Sequence, residues 1–298
     1  MEKKISITIG PLMQQFGDRE ALRLCAEAGF DGVDFSMNTY PQGVLPDIYE
    51  MPHEDFVTYF KDLKAYADSL GLKIPQTHSL VDAYTPDREK NKILRRHAIR
   101  DLEATALLGC KYCVIHCIST FQWRFETSYE TMHEENQMMY ADFVETAEKF
   151  GVNITLESFG SVTVKGVSGY DCFADADKML KEYEDLPTKN KAFCFDCGHT
   201  HVAAKNKNPD VVGFVEKFGD RIKVLHLHDN NGYSDQHLIP GFGTIPWDKL
   251  FEALDEIGYE GYYNFELYLR FAEYNPDFVK VLAPYFREFI KNPKRFRI

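Results

Sequence analysis

Along this chain, helical stretches repeatedly stop at a glycine followed by an apolar residue: Ala28-Gly29-Phe30, Leu70-Gly71-Leu72, Leu108-Gly109-Cys110, Phe150-Gly151-Val152 and Ile257-Gly258-Tyr259. A glycine free to adopt positive φ closes an α-helix, and the apolar residue turns the chain back toward a core. Short β-rich runs alternate with longer amphipathic segments from end to end. Strands are expected at 5–9, 32–36, 73–78, 112–116, 153–158, 192–196, 222–228 and 262–267. Helices are expected at about 18–29, 55–70, 88–109, 129–150, 172–184, 209–219, 247–257 and 276–291. Eight strand–helix units call for a parallel sheet with right-handed crossovers, and eight is the number that closes into a (β/α)8 TIM barrel. The length of 298 residues suits that α/β fold, and no linker or composition break divides it, so one domain over 1–298 is expected.

The C-terminal ends of barrel strands carry the chemistry in such folds, so the residues found there matter most. The third expected strand ends at His78 and the fourth at His116. The fifth ends in Leu156-Glu157-Ser158 and the sixth in Phe195-Asp196-Cys197-Gly198-His199. The seventh opens the tract IKVLHLHDNNGYSDQHLIPGFGTIPW, which supplies His226, His228, Asp229, Asp235 and His237, and the eighth gives Asn264-Phe265-Glu266. A lone strand histidine is more often a hydrogen-bonded core residue, and a lone glutamate can pair with a lysine. Several carboxylates buried together are different: each costs several kcal/mol of desolvation, and like charges force protons on. A divalent cation removes that conflict, and mixed imidazole and carboxylate ligands suit zinc, manganese or cobalt.

Acidic residues outnumber basic ones 46 to 34, a formal net charge of −12, which repels a phosphate backbone and disfavours nucleic acid as a partner. No apolar run reaches the roughly 18 residues of a membrane span. The opening Met1-Glu2-Lys3-Lys4-Ile5 passes straight into a strand, so no signal peptide is expected. Seven cysteines, an odd number, fit reduced thiols in a cytoplasmic protein. The pairs Cys110/Cys113 and Cys194/Cys197 are read as structural thiols, because residues i and i+3 on a strand face opposite ways. Assembly into a homo-oligomer is compatible with the chain.

With ITLES, FDCGH, HLHD and NFEL at successive strand ends, the chain resembles the xylose-isomerase-like barrels, which include ketose 3-epimerases, hydroxypyruvate isomerase, inosose dehydratase and endonuclease IV. The resemblance implies one divalent metal held by Glu157, Asp196, His226 and Glu266, with His199 as a substrate-binding histidine. It also implies Glu157 and Glu266 as the acid–base pair of a sugar or sugar phosphate isomerase or epimerase, acting through an enediolate. His78, His116, His199 and His228 would then meet a small carbohydrate substrate. The epimerases carry an arginine shortly after the seventh-strand ligand, where this chain has Asn230-Asn231-Gly232. The endonuclease IV pattern, a three-metal site, adds His78, His116, His199, Asp235 and His237, and all nine ligand types are present. That pattern implies phosphodiester hydrolysis as the alternative, beside a dehydratase or lyase on the same scaffold. The acid excess, Asp82 in the loop 79–84, and the absence of Lys and Arg from 38–50 favour the carbohydrate reading.

Other candidates are weaker. Trp123 and Arg124 follow the fourth strand among Phe121 and Phe125 and could stack on a sugar and meet a phosphate, or pack on the barrel itself. Lys165 could reach a substrate or be solvated. Pro240-Gly241-Phe242-Gly243 could offer amides to a phosphate or make a plain turn. His53, His97 and His133 are read as surface residues.

Overall fold

A computed structural model describes residues 2–42, 45–80, 85, 87–118, 128–164, 167–170, 172–204, 208–269 and 275–296. Eight parallel strands form the barrel: β1 Ile5–Thr8, β2 Gly32–Ser36, β3 Lys73–His78, β4 Tyr112–Val114, β5 Asn153–Glu157, β6 Lys191–Asp196, β7 Ile222–His226 and β8 Tyr263–Phe265. The ladder runs β8-β1-β2-β3-β4-β5-β6-β7. A parallel bridge between Leu227 and Phe265 closes the ring. There the Leu227 amide donates to the Asn264 carbonyl at 2.8 Å and the Glu266 amide to the Leu227 carbonyl at 3.1 Å. The fold is a single (β/α)8 TIM barrel.

Helices surround the sheet, and local chemistry fixes their ends. Asp87, Ser128, Asp175 and Asp210 cap Arg88–Leu107, Tyr129–Phe150, Ala176–Asp185 and Val211–Phe218, each side chain accepting from amides of the first turn. Gly29 (φ 89°) and Gly151 (φ 66°) take the left-handed conformation just past their helices. Phe30 and Val152 then return amide hydrogen bonds to the Cys25 and Ala147 carbonyls. Between sheet and helices lies an apolar core containing Phe35, Phe60, Phe143, Phe193, Phe195, Phe265, Phe286 and Phe289, all buried.

The barrel interior changes character with height. Val114, Cys194 and Val224, with Tyr112, form a small apolar cluster of their own. By the two-residue strand period, His116, Asp196 and His226 stand one layer above that cluster on the same inward faces. Parallel strands therefore lift these polar side chains to the C-terminal mouth. Among the described residues, elements outside the expected set include the helices Gly10–Phe16 and Cys197–Ala203, and an antiparallel hairpin pairing Ser161–Val164 with Val167–Tyr170. The expected 172–184 helix is a short 3-10 turn, Cys172–Ala174, followed by Ala176–Asp185. No described helix is long and apolar enough to cross a membrane. The cysteines found free, including Cys110, Cys113, Cys194 and Cys197, are buried.

Candidate metal centre

Glu157, the last residue of β5, is the hub of the mouth. Its Oε1 lies 3.0 Å from His226 Nδ1 and 3.5 Å from His199 Nδ1, and its Oε2 lies 3.0 Å from His116 Nε2 and 3.4 Å from His78 Nε2. His226 Nδ1 also approaches Glu266 Oε2 at 3.3 Å and Asp196 Oδ2 at 3.9 Å. One ligand atom from each of Glu157, Asp196, His226 and Glu266 lies within 4.8 Å of the others, close enough for a single cation to bridge.

Three further groups meet the same criterion: His78 with His116 and Glu157, His78 with His226 and Glu266, and His199 with His228, Asp235 and His237. Asp235 Oδ2 lies 3.0 Å from His237 Nε2 and 3.4 Å from His199 Nε2. His228 Nε2 sits 3.1 Å from both oxygens of Asp196. His226 and His228 both point inward, His226 into the Glu157 group and His228 into the group with Asp235. The structure thus brings together His78, His116, Glu157, Asp196, His199, His226, His228, Asp235, His237 and Glu266.

Orientation is set largely by the backbone. His78 Nδ1–H donates to the Ser79 carbonyl at 2.8 Å, His199 Nδ1–H to the Ser158 carbonyl at 3.0 Å, and His237 Nδ1–H to the Glu266 carbonyl at 3.1 Å. When the ring is neutral, each bond leaves Nε2 as the bare nitrogen facing a carboxylate, the state in which imidazole binds a metal. Asp196 caps Cys197–Ala203, its Oδ1 accepting from the His199 amide at 2.7 Å, which delivers His199 to the rim. That turn leaves no room for a side chain at Gly198, where a Cβ would stand 2.0 Å from His228 Cε1.

Charge follows from this crowding. Burial favours the neutral form of Glu157, but the His226 and His116 imidazoles more than offset it and hold the carboxyl well below its usual range. Burial likewise opposes charge on His78, yet the Glu157 carboxylate lifts it to about 8. Burial also opposes charge on His199, His226 and His237, yet all three are raised, His199 and His237 by surrounding carboxylates and His226 by Cys194 followed by Glu266 and Glu157. His116 goes the other way, with burial winning.

The geometry fits a cation better than ion pairing alone. Buried His116 Nε2 and Glu157 Oε2 are 3.0 Å apart, yet neither has a hydrogen-bond partner among the described residues. Converging atoms that do not bond to one another are what a shared metal requires.

Above the cluster opens a pocket of about 400 Å³, lined by His78, His116, Glu157, His199, Asp235, His237 and Glu266 on one side and Gln14, Asn38 and Thr39 on another. Tyr268 stands at its edge, half exposed, its ring stacked on His237 at 4.1 Å. Phe159 stacks on His199 at 5.1 Å.

The remaining candidates separate. Trp123, Arg124, Phe121, Phe125, Lys165 and Asp82 lie outside the described residues. Gly241 makes a turn, its amide donating to Asp229 Oδ2 at 2.8 Å. Asp229 is buried and also accepts from the Asn230 and Ile245 amides and from Trp247 Nε1. His53 is exposed, whereas His97 and His133 are half-buried, stacked on Tyr49 and facing Glu182 respectively. Residues the sequence did not single out include Asp34, Gln76 and Asn264, buried beneath the cluster, and Tyr268. A carboxylate inside the otherwise apolar run Val33-Asp34-Phe35 is the one signal that could have found Asp34.

Comparison with known proteins agrees with this architecture. Residues 22–278 match the xylose isomerase-like TIM barrel family. Fructoselysine 3-epimerase of Escherichia coli O157:H7 is 29% identical over 127 residues, 43% of this chain and 42% of that protein. A probable endonuclease 4 of Staphylococcus epidermidis is 42% identical over 163 residues, 51% of this chain and 50% of that protein. The chain thus spans about half the length of these curated relatives or less. Among solved structures, a D-tagatose 3-epimerase-like protein superposes with a TM-score of 0.68 at 23% identity, covering 95% of this chain and 99% of that one. The IOLI protein with a bound zinc atom superposes with a TM-score of 0.75 at 18% identity, covering 97% and 98%. Family match, closed eightfold barrel and ligand-rich mouth lead to one conclusion: this chain belongs to the xylose isomerase-like TIM barrel family.

Proposed function

We propose that the protein is a metal-dependent sugar isomerase or epimerase, with Glu157, Asp196, His226 and Glu266 holding a divalent cation such as zinc, manganese or cobalt. The observation that carries this reading is the convergence of those four side chains beneath a pocket that Glu157 and Glu266 line, with a glutamate from β5 facing one beyond β8. When bound, the cation would polarise adjacent carbonyl and hydroxyl oxygens of a ketose and acidify the C–H between them. Glu157 and Glu266 then remove and return that proton, a contribution typically worth roughly 10²–10⁴-fold. His78, His116, His199, His228 and His237 donate to or accept from substrate hydroxyls. The net charge of −12 and the carbohydrate epimerases among its relatives support a small carbohydrate substrate. Trp123 and Arg124 remain proposed substrate contacts, and the cytoplasm the proposed compartment.

The test is solvent exchange. Incubated with a panel of ketoses and ketose phosphates in D2O, the wild type should place deuterium at the carbon beside the carbonyl, and Glu266→Gln should abolish it with the fold intact. Undiminished incorporation in the variant would remove Glu266 from the acid–base role.

A second reading has its own observation. Four overlapping ligand groups, two of them sharing Glu157, match what a multinuclear phosphodiester hydrolase uses to generate hydroxide and stabilise a leaving oxygen. Robust cleavage of abasic-site DNA would favour it over isomerisation.

A further inference from the structure

His226 is held differently from the imidazoles around it. His78, His199 and His237 each fix their far nitrogen on a backbone carbonyl. The ring nitrogen of His226 that faces Glu157, Glu266 and Asp196 is Nδ1, so its far nitrogen is Nε2, which points down into the barrel. There the neighbour is Asp34 of β2, fully buried, with Oδ2 3.3 Å from Nε2.

Asp34 gathers side chains from across the barrel. Its Oδ2 accepts from Thr8 Oγ1 of β1 at 3.1 Å, Gln76 Nε2 of β3 at 3.3 Å and Asn264 Nδ2 of β8 at 3.5 Å. Asn264 is itself pinned, accepting from Ser6 Oγ at 3.0 Å. These donors are neutral, and no Lys or Arg pairs with Asp34 among the described residues. A buried carboxylate whose hydrogen-bond donors are all neutral is costly, and its placement calls for a specific reason.

Two atoms supply it. His226 Nε2 and Asp34 Oδ1 are both buried and both without a hydrogen-bond partner among the described residues. One can donate, the other can accept, and they sit on adjoining side chains. The terminal torsion of an aspartate is soft, so a small rotation of the carboxylate joins them while the network on Oδ2 keeps the side chain in place.

We propose that Asp34 is the positioning residue of the centre, accepting from His226 Nε2–H and thereby turning a bare Nδ1 toward the cation. The inference rests on the metal reading above. A carboxylate behind a ligating imidazole fixes tautomer and ring orientation, and removing such a partner typically weakens metal binding roughly 10–100-fold.

The test uses the full chain and cobalt(II), followed by its visible absorption, so that no turnover is needed. Asp34→Asn, nearly isosteric, should bind cobalt roughly 10–100-fold more weakly than the wild type. In the zinc-loaded wild type, imidazole 15N–1H spectra should show an exchange-protected proton on His226 Nε2, and that readout stands even if the variant fails to fold. Equal affinities in wild type and variant, or a proton found on Nδ1 with metal on Nε2, would overturn the role of Asp34 while leaving the metal reading intact. A wild type that takes up no divalent cation would end both.

Discussion

Glu157 faces four imidazoles at once, and this crowding makes pH a direct probe of single residues. Against the opposing effect of burial, the carboxylates around His199 and His237, and Cys194 with Glu266 and Glu157 around His226, raise all three rings, so without metal they keep their protons to higher pH than a free imidazole. Ligation needs the neutral ring, so each histidine that binds must first release its proton. The sign follows: cation affinity rises with pH and falls as pH drops through the raised values, starting above the 6.5 of a free imidazole. Calorimetric titration with zinc at neutral pH, in buffers of different ionisation enthalpy, should report net proton release. Uptake with no proton exchange would mean that these rings are not ligands.

Element by element, the sequence exposed the scaffold better than its irregular pieces. Strands 32–36 and 73–78 coincide with β2 and β3, and the helix 129–150 with Tyr129–Phe150, because long periodic segments bounded by caps and glycines declare themselves. Cys197–Ala203 escaped because a polar helix capped by a presumed ligand, Asp196, has no apolar stripe to reveal it. Asp34 escaped for another reason: it stands mid-strand, below the rim where ligands were sought, and only the closed barrel brings His226 to it. Asp229 looked like one more ligand in a ligand-rich tract, yet its carboxylate organises the segment Leu238–Trp247 through three donors, the Gly241 and Ile245 amides and Trp247 Nε1, besides accepting from the Asn230 amide. Asp229→Ala strands those buried donors, each worth about 1–3 kcal/mol when left unsatisfied. The variant should therefore unfold at a clearly lower denaturant midpoint, and a midpoint unchanged from wild type would show that the loop is held by something else.

At the scale of the whole molecule, the barrel solves an electrostatic problem. Parallel strands carry acids and imidazoles to one mouth over an apolar plug and a polar layer, in a chain whose net charge is already −12. Ion pairs among the groups offset part of the desolvation, but the buried His116 Nε2 and Glu157 Oε2, 3.0 Å apart yet without a hydrogen bond among the described residues, show that hydrogen bonding is incomplete. On the proposed reading, a bound cation would complete it. The most direct measurement is elemental analysis of the full-length protein purified without chelators, beside Glu157→Ala. The account predicts about one or more equivalents of zinc, manganese or cobalt per wild-type chain and a marked loss in the variant. A wild type that is metal-free, and stays so after exposure to each of these ions, would contradict it.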